Sequence, residues 1–293
     1  MSEKQYLNET IRLLHERSTC RSFEDKKIPE EVLQQILDAG IHAPTGGNLQ
    51  PYSIIKVENV ETSKRLGELC EQQDFIGTAP VNLIFCIDWH LLKRWAEIEY
   101  AAFTATISFR HFWISFQDTV IAAQNICIAA DALGLGSVYI GSVLECLPQL
   151  REMFQLPKYV FPVVLLSIGY PKFRPKPKPK LGTETVVHNE TYCKMSDDDV
   201  RAAFNRKYGN RSKLEITDER LETIRRVCTN VHGEDFANKC LTMIRDNGYV
   251  NMAQAYFCLH YIADEMPNRN EEFLKTVRDF GFDWFEKYEP GVK

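Results

Sequence analysis

The chain has 293 residues, 44% hydrophobic and 26% charged, a composition that supports a core of normal size and excludes a disordered chain. A formal net charge of -5 gives no electrostatic footprint for nucleic acid, and no apolar run is long enough to cross a membrane. The nine cysteines include no Cys-x-x-Cys pair, which argues against zinc ribbons and thioredoxin-type chemistry. They read instead as small buried hydrophobes in a reducing compartment. The first residues lack the apolar region of a signal peptide, so a cytoplasmic location is expected.

Residues 5–16 read as a helix with Leu7, Ile11 and Leu14 on one face. Pro29 opens a second helix, whose stripe is Val32, Leu33, Ile36 and Leu37 and whose end is expected near Gly40. Ser53 to Val57 is a short strand, Thr62 to Cys70 a helix, and Val81 to Ile87 a wholly apolar strand of the kind buried on both faces. Residues 89–116 are rich in aromatics and read as helix with a break. Their aromatics are either core or the lining of a pocket. From Asp118 to Leu133 the chain is apolar almost all round, which predicts a long buried helix at the centre of a domain or a dimer. Pro162 to Gly169 is a third strand.

The stretch Pro171 to Lys180 alternates proline and lysine and is expected to run extended over the surface. Beyond it the composition changes. Helices are expected at 197–208, 217–231, 234–246, 251–263 and 270–280. The reading is therefore a first domain over residues 1–195 and an all-helical C-terminal extension over 196–293. Residues 210–270 read as an insertion ahead of a final helix, Phe273 to Phe280.

Four segments carry residues that suit a ligand; none is a metal set, a nucleophile triad or a P-loop. Arg17, Ser18, Thr19 and Arg21 lie within five residues, and guanidinium forks match the oxygens of a phosphate monoester. The same residues also suit a solvated loop with a capping serine. Pro44, Thr45, Gly46, Gly47, Asn48 and Gln50 combine glycines that permit close backbone approach with amides that read a ring able to donate and accept. A plain helix-to-strand turn would look similar. Gly134 to Ser142 resembles a dinucleotide fingerprint, but it closes a helix where that fingerprint opens one, so the Rossmann reading fails. Gly141 can instead present backbone N–H groups to a cofactor. The basic run Lys172, Arg174, Lys176, Lys178 and Lys180 is either a solvated face, a proline-rich ligand for a partner, or half of a phosphate clamp.

In this order and spacing the four segments resemble the nitroreductase family of flavoproteins, over residues 10–193. The similarity is greatest to its NADPH-dependent, oxygen-insensitive nitroreductase and flavin reductase branch. Arg17 to Phe23 is similar to the family's N-terminal phosphate motif. Pro44 to Pro51 is similar to its Pro-Ser-x-x-Asn-x-Gln-Pro motif, with Thr45 in the serine place. Gln73, seven residues before Pro80, matches a glutamine on the flavin pyrimidine ring. Gln124 and Asn125 look like part of the family's central helix. Tyr139, Ile140, Gly141 and Ser142 match the segment whose N–H groups face flavin N5 and O4. Lys178-Pro179-Lys180-Leu181 departs from Lys-Pro-Arg-Leu: Lys180 keeps the charge but lacks the bidentate fork.

The resemblance implies an α+β, nitroreductase-like fold. Its features are a central mixed sheet of four or five strands flanked by helices, an interlocked homodimer, and FMN in the dimer interface. It implies FMN as cofactor, NAD(P)H as hydride donor, and a small electron-poor acceptor such as a nitro compound, quinone or flavin, in ping-pong turnover. No catalytic acid or base and no metal is expected from the protein. Arg206, Lys207, Arg211 and Lys213 lie where the similar branch reads the NADPH 2′-phosphate, although a solvated helix explains them better. Other reductive reactions on the same fold, dehalogenation or ene reduction, use the same four motifs, as would a flavin-binding sensor without turnover.

Overall fold

The computed structural model describes residues 5–209, 213–284 and 289. The chain divides into two compact units. The first comprises residues 1–177 with 272–293, and the second residues 178–271. These units differ from a boundary at residue 195: the last helix belongs with the first unit, and the second unit is inserted before it.

The first unit is built on four strands, β1 (Tyr52–Val57), β2 (Val81–Asp88), β3 (Gly136–Ile140) and β4 (Val160–Gly169), in the order β1-β2-β4-β3. All three pairings are antiparallel, so the sheet has the expected four strands but is not mixed. Helical connections separate β2 from its partner β4, and a connection of that length permits either strand direction. β3 was not expected as a strand, because two glycines within three residues weaken strand propensity. Pairing with β4 overrides that: Gly136 lies opposite Gly169 and Ile140 opposite Leu165.

Every residue of β2 is buried, as its mainly apolar run implies; the polar exceptions, Asn82 and Asp88, are hydrogen-bonded, Asn82 to Ser63 and Ser167 and Asp88 to Ser53. Leu83 and Phe85 face one apolar cluster and Ile84 and Cys86 the other, the alternation of a strand covered on both sides.

Around the sheet lie α1 (Glu9–Glu16), α2 (Glu30–Ile41), α3 (Val60–Leu69), α4 (Asp74–Thr78), α5 (Trp89–Ile98), α6 (Phe109–Ala132) and α7 (Leu147–Met153). The expected break in the aromatic stretch falls between α5 and α6. The central helix begins nine residues earlier than its apolar run, because Ser108 caps it by accepting from the N–H of His111. With 24 residues, α6 is about 36 Å long at about 1.5 Å per residue.

Gly40 lets α2 sit against α6, since a Cβ there would stand 2.5 Å from Ile126. The aromatics divide. Phe112 is buried against Phe161 and Phe282, with ring centroids 5.6 and 5.3 Å away, while Trp95, Tyr100 and Trp113 are exposed.

The second unit is helical: α8 (Thr183–Val186), α9 (Asp197–Tyr208), α10 (Asp218–His232), α11 (Glu234–Asn247) and α12 (Met252–Gln254). A π-helical turn at Ala255–His260 replaces the rest of the expected helix 251–263. Its core gathers Ile224, Val227, Leu241 and Ile244. α13 (Asn270–Asp279) returns to the first unit, where Phe280 and Phe282 complete the core. Among the described residues no helix is long and apolar enough to cross a membrane.

Candidate functional site

Helix α6 organises the candidate site through polar groups on an otherwise apolar rod. Near its middle, both carboxylate oxygens of Asp118 accept from the N–H of Gly46, at 3.1 and 3.2 Å. One and a half turns on, Gln124 accepts from the Tyr139 hydroxyl at 3.2 Å. At its C-terminal end, Asp131 accepts from Arg17 Nε at 3.2 Å and from Arg174 Nη1 at 2.6 Å. All four of the segments singled out by their sequence thus send a residue to one helix. Asp118 and Asp131 were missed by sequence reasoning, although a carboxylate within an all-round apolar helix is itself a signal, since buried acids need partners.

The Arg17–Phe23 segment lies along the free edge of β3. Cys20 N–H donates to the carbonyl of Ser137 at 3.0 Å, and Arg17 Nη2 reaches Ser137 Oγ at 3.4 Å. This approach depends on Gly136, where a Cβ would stand 2.6 Å from the Cβ of Cys20. On its other side the segment pairs with residues 170–172: Glu24 N–H donates to Tyr170 and Lys172 N–H to Ser22. Arg17 is half-buried and spends two of its five N–H donors inside the protein. It acts as a strut between the end of α6 and β3. Ser18 is half-buried, and Thr19 and Arg21 are exposed. The Arg21 guanidinium lies 5.9 Å from the Phe75 ring centroid, which ties this segment to α4.

Gln73 precedes α4. Its Nε2 donates to Ser142 Oγ at 2.7 Å and to the Cys70 carbonyl at 2.9 Å. Two residues 69 positions apart, matched separately to the same ring, are therefore neighbours. Gly141, between Ser142 and the buried Ile140, is exposed, and a Cβ built on it meets no atom within 4 Å. The backbone there borders open space.

Residues 44–50 join α2 to β1. Thr45 Oγ1 accepts from the N–H of Gln50 at 3.2 Å, and Gln50 Nε2 donates to the Ile41 carbonyl at 3.0 Å. Gly47, Asn48 and Gln50 all have positive φ, at 62°, 57° and 50°. The amides tolerate this region and the glycine favours it. Pro44, Gly46 and Asn48 are exposed. Gln50 is thereby committed to the loop's own structure, and this loop reaches the rest of the site through Asp118.

Burial pushes the Asp118 carboxyl above its ordinary range, opposed by the Gly46 N–H bond. Burial likewise raises the Tyr139 phenol, which stays a neutral donor to Gln124.

Lys178 and Lys180 are exposed in the irregular segment that opens the second unit. Of the residues set against the NADPH 2′-phosphate, Arg206 pairs with Glu184 at 3.1 Å, and Lys207 and Lys213 lie over the rings of Tyr208 and Tyr249. Arg211 lies outside the described residues. Among the described residues, no group of three His, Cys, Asp or Glu side chains could hold a metal ion.

A model described as Nitroreductase family matches residues 14–170. The chain is 36% identical over 192 residues to the FMN reductase [NAD(P)H] of Bacillus subtilis (strain 168), covering 65% of this chain and 77% of that one. It is 32% identical over 199 residues to the NADPH-flavin oxidoreductase of Vibrio harveyi, covering 67% and 80%. Among solved structures it is similar to the NADPH:FMN oxidoreductase from Vibrio harveyi complexed with NAD+, with a TM-score of 0.69, 25% identity, and coverage of 92% and 98%. The convergence of the phosphate-type, glycine-rich and edge-strand segments on α6 thus coincides with the matched region, and the chain belongs to the nitroreductase family.

Proposed function

We propose that this chain is an FMN-dependent oxidoreductase that takes hydride from NAD(P)H and reduces a small electron-poor acceptor. The observation that carries this is the adjacency of Gln73 and Ser142 beside the open backbone at Gly141, with Arg21 tied to the same edge through Phe75. The FMN reductase [NAD(P)H] and NADPH-flavin oxidoreductase names of the relatives support it.

The residues present fit FMN. Guanidinium and hydroxyl donors at Arg17, Thr19 and Arg21 suit its phosphate, and Ser18 adds a hydroxyl to that end. The side-chain-free backbone at Gly141 leaves room for a flat ring, flanked by the amide of Gln73. The resemblance assigns Lys178 and Lys180 to the phosphate and Asn48 to the ring edge. When bound, FMN supplies the hydride chemistry.

The protein's own part is positional. Asp131 fixes Arg17 against β3, so one end of the cradle is pre-set rather than assembled on binding. Asp118 holds the Gly46 turn in the conformation that presents Asn48. Backbone N–H groups at Gly141 and Ser142 would, as the resemblance implies, face the flavin ring and favour its electron-rich form. No side chain need donate or remove a proton. Donor and acceptor then occupy the same space in turn, which gives ping-pong kinetics.

The working unit is a homodimer. Ile11 and Leu14 of α1 and Trp113 and Ile121 of α6 are exposed in the single chain, apolar side chains that a second copy would cover.

An absorbance spectrum of the purified protein, followed by anaerobic NADPH, tests the activity. Flavin bands that bleach support it. Bands that persist point to a flavin-binding sensor, and no bands after incubation with FMN refute the cofactor assignment. Sedimentation at micromolar concentration tests the dimer.

A further inference from the structure

Two buried thiols flank the Gln73–Ser142 pair. Cys70 lies three residues before Gln73, and its carbonyl accepts from both Gln73 Nε2, at 2.9 Å, and Ser142 Oγ, at 3.4 Å. Cys146 lies four residues after Ser142, and its Sγ approaches the carbonyls of Ser142 and Val143 at 3.9 and 3.6 Å. The two Sγ atoms are 4.0 Å apart although 76 positions separate them in the chain. Both side chains are almost fully buried. Packing alone would be served by alanine or valine at either place, whereas two sulfurs in contact have a chemistry of their own.

We propose that Cys70 and Cys146 form an oxidisable dithiol that loosens the neighbouring Gln73–Ser142 contact when it closes to a disulfide. The inference rests on the flavin reading only for the consequence; the bond itself does not. A disulfide needs its sulfurs about 2.05 Å apart, so closure shortens the Sγ–Sγ separation by about 2 Å, through side-chain rotation and whatever backbone shift the packed site requires. Any shift of either cysteine is passed to its neighbours, the Cys70 carbonyl and the Ser142 hydroxyl, which are the groups that hold the Gln73 amide.

The chemistry balances with a hydroperoxide as oxidant. The Cys146 thiolate attacks the peroxide O–O bond, giving a sulfenic acid and, after protonation, water. The Cys70 sulfur then attacks the Cys146 sulfur and expels the sulfenic oxygen as a second water, with the thiol proton going to that oxygen. Overall, two thiols and one hydrogen peroxide give one disulfide and two waters. A small dithiol reverses it by exchange. The order of events follows the acidities of the two thiols: the contact with Cys70 holds the Cys146 thiol below its ordinary value, while the contact with Cys146, together with burial, raises the Cys70 thiol.

The test treats the reduced, FMN-loaded protein with hydrogen peroxide, removes the peroxide, alkylates the remaining thiols under denaturing conditions and maps peptides by mass spectrometry. FMN binding is followed in parallel by flavin fluorescence. The expected result is a Cys70–Cys146 linked peptide and an FMN dissociation constant raised by about fivefold or more, the lower end of ordinary site-to-site coupling. Dithiothreitol restores both. Cys146→Ser, with Cys146→Ala as a second variant, abolishes the linked peptide and makes FMN binding indifferent to peroxide. Three results overturn the proposal: both cysteines remain alkylatable, the disulfide forms with FMN affinity unchanged, or peroxide weakens binding equally in the variants. A protein that binds no FMN before oxidation instead refutes the flavin reading, and the peptide map still decides the bond.

Discussion

Arg17 and Asp131 are bonded across 114 positions of chain, Nε to Oδ2 at 3.2 Å, and Arg174 holds the other oxygen of the same carboxylate. The Asp131 side chain is 2% exposed, so its charge is stable there only because two guanidinia face it. The N-terminal phosphate-type segment, the end of α6 and the segment after β4 are locked together at this one residue.

Asp131→Asn therefore loosens the phosphate end of the cradle without altering its shape. Loss of two charge-assisted bonds is expected to cost about 2–4 kcal/mol, with each such bond contributing about 1.5–3 kcal/mol less what the amide recovers. The urea midpoint checks this without flavin. Arg21→Ala, by contrast, removes an exposed side chain and leaves the midpoint nearly unchanged while weakening FMN binding about tenfold or more.

Gly141 and Gly136 make opposite predictions from the same substitution. Alanine at Gly141 meets no protein atom within 4 Å, so folding stability stays within about 0.5 kcal/mol while the methyl group intrudes on the flavin. Alanine at Gly136 collides with Cys20 and is expected to cost about 1–3 kcal/mol. Thermal melts with and without FMN separate the two. An apo Tm lowered by Gly141→Ala would place that residue in a packed environment.

The Asp118 carboxyl is raised by burial, so its ionised form is disfavoured by folding. With a folded pKa above the unfolded value, its contribution is fully present below the unfolded pKa and is lost as pH rises through the folded one. Asp118→Asn keeps an acceptor for Gly46 N–H and removes the charge. The variant should be the more stable at pH 7, and its advantage should shrink as the pH falls towards the ordinary aspartate range. Urea titrations at pH 7 and pH 4 measure the difference, and a difference that does not change with pH would contradict the assignment.

Cys86 and Cys127 are wholly buried, and burial pushes both thiols up. Cys193 is exposed. Iodoacetamide should modify Cys193 in the native protein and reach Cys86 and Cys127 only after unfolding. Peptide mapping at short reaction times reads this directly.

Much of the fold was legible because its signals are local. The apolar run at Leu83–Ile87 marks a doubly covered strand, and Ser196 with three aspartates behind it marks the start of α9, which begins at the expected residue. β3 was hidden by its glycines. Its strand conformation comes from pairing with β4, and Gly136 is there for the approach of Cys20, which no reading of residues 134–142 alone contains. Strand direction was likewise invisible, because the connections between partners are long enough for either sense.

The candidate site divides in the same way. Amino-acid type and order along the chain determined which segments suit a phosphate and a polar ring, since guanidinium, glycine and amide carry that chemistry wherever they stand. Tertiary structure alone decided that Gln73 meets Ser142, that Gly46 hangs from Asp118, that Arg17 is committed to Asp131, and that Cys70 touches Cys146. Each of these contacts joins residues at least 69 positions apart. Chemistry is a property of the residue, whereas proximity at that separation is created only when the whole core packs.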